Sequence, residues 1–388
     1  MRPGPGPAGP HGRGRLGVGA GYRGPVQPTA PGPVDWRAAA RLAGRVAAPG
    51  PVADRATLVE LVDDLRASAT VAARHVVDAT GMTPADGRDP EAVSRVLVVD
   101  RARWASANAE MFAVMAAPLA TRRDGSPVVV PEPARLAAAA QVGGVLALLS
   151  GKVIGQYDPF TAAPGQAGRL LLVAPNVLAT QRQLGVDARD FHLWVSLHEQ
   201  THALQFATAP WLADHLRARS AELLSDLADA APGDGREDRP ALPRLDDVLG
   251  ALVRAVTDGD GGVLSLLTDR QRAVFDEVGA IMSLLEGHAD VMMDEVGPKV
   301  VPSVRAIRRA FERRRDEAAR AKGLDRLVRR LLGMDLKLAQ YRDGAAFVRA
   351  VRGRVGLDGL NAVWAGPDAL PSAAEIGDPV AWVRRVHG

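Results

Sequence analysis

"SLHEQTHALQF", residues 196–206, places His198 and His202 four apart, with Glu199 directly after the first, in a chain that holds only eight histidines. Residues i and i+4 of a helix lie one turn apart on the same face, so both imidazoles can point at a single ion. Glu199 projects about 100° further round, beside such an ion rather than onto it. A base must stand there to take a proton from a water that a metal has made acidic. From Phe191 to Phe206 the sole acid is Glu199 and there is no Lys or Arg, as a helix buried beside a metal requires. Two histidines and a glutamate in an apolar helix are costly unless something compensates them.

The chain has no cysteine. That excludes disulfides and thiolate ligands and leaves histidine and carboxylate as donors. A zinc site that keeps one position for water needs three protein ligands. A histidine six residues beyond His202 would stand at position 208, which is Thr208. The stretch "LLEGHADVMMDE" (284–295) offers another solution, with Glu286 and Asp290 four apart beside an apolar stripe. Glu286 could ligate the ion while Asp290 accepts a hydrogen bond from a ligand histidine and fixes its tautomer. His288 competes for the ligand role. It lies about 200° round the helix from Glu286, so the two cannot both face the metal, and the stripe places Glu286 better. Zn2+ is the expected cofactor from donor type, although another divalent ion could take the same two nitrogens and one carboxylate.

Around this site the composition reads as an ordinary globular protein, with 47% apolar and 24% charged residues. Aromatics are 4%, so Ala, Val and Leu build the core, which favours close-packed helices. The expected fold class is mainly α (α+β), with a few short strands beside the HEQTH helix. Residues 1–34 hold ten glycines and eight prolines and read as a disordered tail or as an over-long start of the chain. Without that tail's four arginines the formal charge of +3 becomes −1, which weakens any nucleic-acid reading. The N-terminal residues lack the compact apolar run of a secretory signal, and "LAAAAQVGGVLALLSG" (136–151) is too short and glycine-broken to span a bilayer convincingly, so a cytoplasmic protein without membrane insertion is expected.

Residues 35–388 read as one domain, with a subdivision point near the polar loop 231–243; a second polar loop is read at 257–262. Helices are expected at 35–47, 54–80, 89–120, 134–155, 188–206, 210–230 and 269–296, the last carrying Val274, Val278, Ile281, Leu285, Ala289, Met292 and Val296 at helical spacing. Gly143, Gly144 and Gly151 would let another element approach closely. "GSPVVVPEP" (125–133) reads as an extended segment, and "GRLLLVAPNVLA" (168–179) as a short strand followed by a turn at Pro175–Asn176. The remainder is helical to about 355. The run 305–330 carries eleven basic residues and four acids and reads as a solvated amphipathic helix, with Ile307, Ala310, Phe311 and Leu327 as its buried stripe. Tyr157 and Tyr341 read as packing residues, with oxyanion stabilisation as the functional alternative. His192 reads as a helix-start or core residue.

The H-E-x-x-H helix followed by Glu286-Gly-His-Ala-Asp290 resembles the gluzincin zinc peptidases, which include membrane-embedded CAAX-processing peptidases and their bacterial heat-shock relatives. More closely, "GKVIGQYDPF", "LLLVAPNV", "LHEQTHALQF", "LLEGHADVMMD", "LLGMDLKLAQYRDGAAFV" and "EIGDPVAWVRR" resemble a zincin-like hydrolase family of actinobacteria, one branch of which carries an association with deazaflavin coenzyme biosynthesis. The resemblance covers about residues 35–388. It implies His198 and His202 as zinc ligands and Glu199 as catalytic base, with Glu286 following from the wider gluzincin pattern. The expectation is a zinc-dependent, peptidase-like metallohydrolase acting on a peptide or small amide. The competing reading is a non-catalytic zinc-binding scaffold or interaction protein.

Overall fold

A computed structural model describes residues 32–121, 124–163, 165–229, 268–319 and 334–388, with backbone alone for 225–229, 315–319 and 334–342. The expectations for residues 1–31, for the loops at 231–243 and 257–262, and for the Leu327 and Tyr341 side chains lie outside that description.

Helix α1 (Trp36–Val46) starts where the Asp35 carboxylate accepts from the Ala38 amide at 2.8 Å. Helix α2 (Arg55–Thr80) starts in the same way on Asp54 and stops at Gly81, whose φ of 61° glycine adopts without strain. The expected helix at 89–120 is corrected. Strand β1 (Ser94–Val99) occupies its first third, after a short 3-10 turn, and only then does α3 (Arg101–Met115) begin on the Asp100 cap. "RVLVV" is a short apolar run rich in Val, which periodicity alone cannot assign. Parallel pairing with a neighbouring strand decides it.

The 125–133 segment carries an isolated bridge, Thr121 to Pro127, before α4 (Glu132–Ser150). Of its glycines, Gly143 meets the backbone of α1: a Cβ there would lie 2.9 Å from the Ala39 carbonyl, whereas one at Gly144 would meet nothing. Among the described residues α4 alone is long and apolar enough to cross a bilayer. Its inner face, including Ala138, Ala139 and Leu146, is buried. The helix ends at Ser150 rather than at the expected 155, and strand β2 (Gly155–Asp158), which the sequence reading did not foresee, follows, then β3 (Gly168–Val173). No turn forms at Pro175–Asn176. Helix α5 (Ala174–Leu184) begins there, with Pro175 in its first turn, where the missing N–H costs nothing. Asn176 is buried and donates to the Ser150 and Val153 carbonyls at 2.7 and 2.6 Å.

The sheet order is β1-β3-β2, with β1 parallel and β2 antiparallel to β3. Side chains alternate across a strand, so Leu170 and Leu172 face the larger core while Leu171 and Val173 face a smaller one under α1, α3 and α4. A continuously apolar run suits a strand covered on both faces. Strand β2 is pinned to α3 by Gln156, whose Oε1 accepts from Trp104 Nε1 at 2.8 Å and Asn108 Nδ2 at 3.0 Å.

The larger core gathers α2, α6 (Ala188–Thr208), α7 (Trp211–Asp229), α8 (Asp269–Val296), α9 (Val304–Ala319), α10 (Met334–Asn361) and the C-terminal α11 (Ala373–Gly377) and α12 (Pro379–His387). A capping box of Thr268 and Gln271 starts α8, and Gly297 at φ 70° ends it, at the expected bounds. Helices α8 and α10 touch backbone to backbone. A Cβ at Gly287 would strike the Gly344 backbone, and one at Gly344 would strike the Ser283 carbonyl. Ile307 and Ala310 on α9 are buried as the stripe predicts.

Asp158 at the end of β2 caps the following turn, accepting from the Phe160 amide at 2.9 Å, and holds the buried Arg169 guanidinium at 2.7 and 2.9 Å. Arg169 also reaches Glu110 at 2.5 Å and the Ala107 carbonyl at 3.0 Å. Asp158→Ala leaves a buried cation without its one fully buried carboxylate partner. We expect it to destabilise the fold by about 3 kcal/mol, measured as a shift of the urea unfolding midpoint at constant slope.

Candidate metal centre

The Asp187 side chain caps α6, accepting from the Asp190 amide at 2.9 Å, and the helix then runs through the larger core. His198 and His202 fall on its face toward α8. Their Nε2 atoms lie 3.1 Å apart, and Glu286 Oε2 stands 3.3 Å from the first and 3.6 Å from the second. These three donors form a group whose ligand atoms all lie within 4.8 Å of one another. Donors at zinc bonding distance around a tetrahedral ion stand about 3.3 Å apart, so the separations fit. Two unprotonated Nε2 lone pairs at 3.1 Å would repel unless a positive charge lay between them. The chemistry of the set, two imidazole nitrogens and one carboxylate oxygen, suits a borderline divalent ion.

The titration tendencies say the same. Burial disfavours the His202 imidazolium, but the Glu286 carboxylate overcomes it and holds the pKa up to about 9. For Glu286, burial works against the charged form, but the two imidazoles more than offset it and lower the carboxyl pKa well below its usual range. Without an ion, the cluster draws in a proton.

Glu199 lies outside this group and is 6% exposed. Burial raises its pKa, the two histidines pull it down, Glu286 raises it again, and the Tyr157 backbone N–H favours the charged form. Strand β2 lies against it so closely that a Cβ on Gly155 would stand 2.6 Å from Glu199 Oε1. Since Gln156 points to α3, Gly155 and Tyr157 present the other face of β2 to α6. The Tyr157 ring packs on Phe206 with centroids 5.8 Å apart, and burial pushes its phenol to about 12, in keeping with a packing role.

Asp290 does not reach a ligand histidine. Its carboxylate binds Arg308, which also donates to the Asp290 carbonyl at 2.7 Å, and Arg349 stands 3.8 Å away. The expectation for Asp290 is corrected accordingly: cations arriving on α9 and α10 claim the carboxylate first. The histidines' other nitrogens meet neutral groups, Gln205 Oε1 at 2.9 Å from His202 Nδ1 and Met293 Sδ at 3.2 Å from His198 Nδ1. His288 stands outside the three-donor group, fully buried, with its ring edge-on to Trp364 at 5.3 Å. His192 is buried in the core with Asp64 4.0 Å from its Nδ1. Gln205, Met293 and Gly155 went unnoticed in the sequence. Only Gln205 carried a local signal, three residues beyond His202 and hence on the same face.

The profile of a family described as zincin-like metallopeptidase matches residues 34–383. The crystal structure of a candidate hydrolase with a novel fold from Chloroflexus aurantiacus is similar at 32% identity and a TM-score of 0.62, over 91% of this chain and 99% of that one. No curated protein matches.

Two outcomes are expected here. Elemental analysis should find about one metal ion per chain in the wild type. That ion should be lost in His202→Ala and Glu286→Ala and kept in Glu199→Gln. Separately, burial holds the His288 pKa down to about 3 against an ordinary value of 6.5. The unfolded chain therefore takes up a proton that the folded chain refuses. This contribution to stability is intact above about pH 6.5 and falls toward pH 3 by up to about 1.4 kcal/mol per pH unit. Urea midpoints at pH 7, 5 and 4 should show a shallower acid loss in His288→Phe than in the wild type.

Proposed function

The chain belongs to the zincin-like metallopeptidase family, and on that premise we propose that it is a zinc-dependent hydrolase of peptide or small amide bonds. The observation that carries the reading is Glu199: a buried carboxylate beside three convergent donors, yet not one of them. His198, His202 and Glu286 would hold the ion. Zinc, when held there, supplies Lewis acidity that eases deprotonation of water and polarises a carbonyl.

The remaining work falls to the protein. Glu199 takes the proton of the attacking water and returns it to the departing amide nitrogen. Burial raises its pKa and so makes it a stronger base than an exposed glutamate. Gly155 makes room for that carboxylate, and the Tyr157 amide holds it in place. A structural zinc site is closed by four protein ligands. Among the described residues this group has three, which favours catalysis over a scaffold role.

The substrate's character follows from the same helix face. Trp194, His198, His202 and Phe206 recur every four residues along α6. Trp194 stacks on Phe311 at 4.9 Å and Phe206 packs tilted against Tyr157 at 5.8 Å, so half-buried rings flank the histidines on both sides. This supports an amide with large apolar groups on either side of the scissile bond.

The test is a peptide library digested by the zinc-loaded wild type, Glu199→Gln and Gly155→Ala. Cleavage should concentrate between apolar residues. It should fall by at least about 100-fold in Glu199→Gln with metal retained. Gly155→Ala should also lose about 100-fold, because its methyl displaces the base. Undiminished cleavage by Glu199→Gln would sink the mechanism, and no cleavage by a fully metallated wild type would return the scaffold reading.

A further inference from the structure

We propose that Gln205 is a positioning residue for the metal centre, a neutral acceptor that holds His202 in the tautomer whose Nε2 lone pair is free for the ion. The proposal rests on the metal reading above and adds to it a residue outside the H-E-x-x-H motif.

The orientation of the Gln205 amide is decided by its partners. Its side chain is fully buried, and its nitrogen lies 2.9 Å from the Leu285 carbonyl oxygen, which can only accept. The end facing Leu285 must therefore be the NH2 group, and the end facing His202 Nδ1 at 2.9 Å must be the oxygen. An amide oxygen only accepts, so Nδ1 of His202 carries the hydrogen. A neutral imidazole protonated on Nδ1 has its lone pair on Nε2, the atom that faces His198 and Glu286.

The second amide hydrogen points to His288 Nδ1 at 3.1 Å. That nitrogen accepts, so the His288 proton sits on Nε2, a buried atom with no hydrogen-bond partner. Every polar position of the Gln205 amide is thus engaged. His288 serves as its backstop, which accounts for a buried imidazole that is not a ligand. Leu285 directly precedes Glu286, so one amide sets the tautomer of His202 and ties α6 to the turn of α8 that presents the carboxylate.

Charge explains why an amide stands where Asp290 was expected to act. A divalent ion here would meet two carboxylates, Glu286 and Glu199, and the buried cluster would be electrically balanced. A third carboxylate on His202 would leave a net negative charge in the core and set an oxygen against the Leu285 carbonyl. His198 follows the same rule, with the Met293 thioether on its Nδ1.

The test compares wild type, Gln205→Leu and Gln205→Glu. Leu fills the space without an acceptor. Glu keeps an acceptor oxygen of the same reach, and the negative charge already in the cluster together with the Leu285 carbonyl obliges it to be protonated there, donating its O–H to Leu285. Zinc affinity, measured by competition with a chromophoric chelator, should weaken 10–100-fold in Gln205→Leu and stay within a few-fold of wild type in Gln205→Glu. Histidine-selective 15N NMR should show a slowly exchanging Nδ1 proton on His202 in the wild type, with or without zinc, that is lost in Gln205→Leu. Wild-type affinity in a folded Gln205→Leu overturns the proposal. Equal loss in both variants also overturns it, because the effect would then come from the amide's donor side. A wild type that binds no zinc sinks the metal reading instead, and the Nδ1 proton still decides the hydrogen bond.

Discussion

A buried carboxylate and two imidazoles on adjoining faces of one core helix are the constraint around which the described structure is arranged. Each would cost several kcal/mol in an apolar core without partners. The partners come from elsewhere in the chain: a β2 backbone amide for Glu199, the Glu286 carboxylate for the histidines, and the amide of Gln205 for His202. Glu286 can arrive only because α8 is held at the right depth. The backbone contact through Gly287 and Gly344 sets that depth from behind. The glycine flanking the ligand position and the glycine facing the base serve the same end, since each removes a methyl where two elements must nearly touch.

Much of this was legible in the sequence, and for identifiable reasons. HEQTH declares itself because helical spacing alone brings two imidazoles to one side. Helix α8 was readable because a long period-3.6 stripe ends at a Gly297–Pro298 stop. Strand β1 was not readable, because "RVLVV" has no period that separates strand from helix, and its partner β3 lies more than seventy residues on. Asp290 failed for a related reason. Its spacing from Glu286 suits a role at the site, but which cation or histidine takes a carboxylate depends on what other segments bring alongside, and α9 brings Arg308. Gly155 sits in a four-residue strand with nothing local to mark it.

The turn of α8 beyond the site has its own logic. Arg308 joins the Asp290 carbonyl and carboxylate to Asp294, at 2.9 Å, and lays its guanidinium 5.7 Å from the Trp194 ring. One side chain thereby links α8, α9 and α6 on the outer side of the centre. The cluster's exposure fits that arrangement: the His198 side chain is 29% exposed and that of His202 13%, so approach is from the His198 end.

The hydrogen bond from Gln205 to Leu285 joins residues eighty apart in a chain that has no cysteine. An ion shared by His202 and Glu286 would close a loop of nearly the same length. In chain-entropy terms, a cross-link over that span removes about 4–5 kcal/mol of freedom from the unfolded ensemble. The centre would then act as this protein's staple, doing thermodynamically what a disulfide does elsewhere, but reversible by a chelator. Thermal unfolding would follow the supply of metal rather than the redox state of its surroundings.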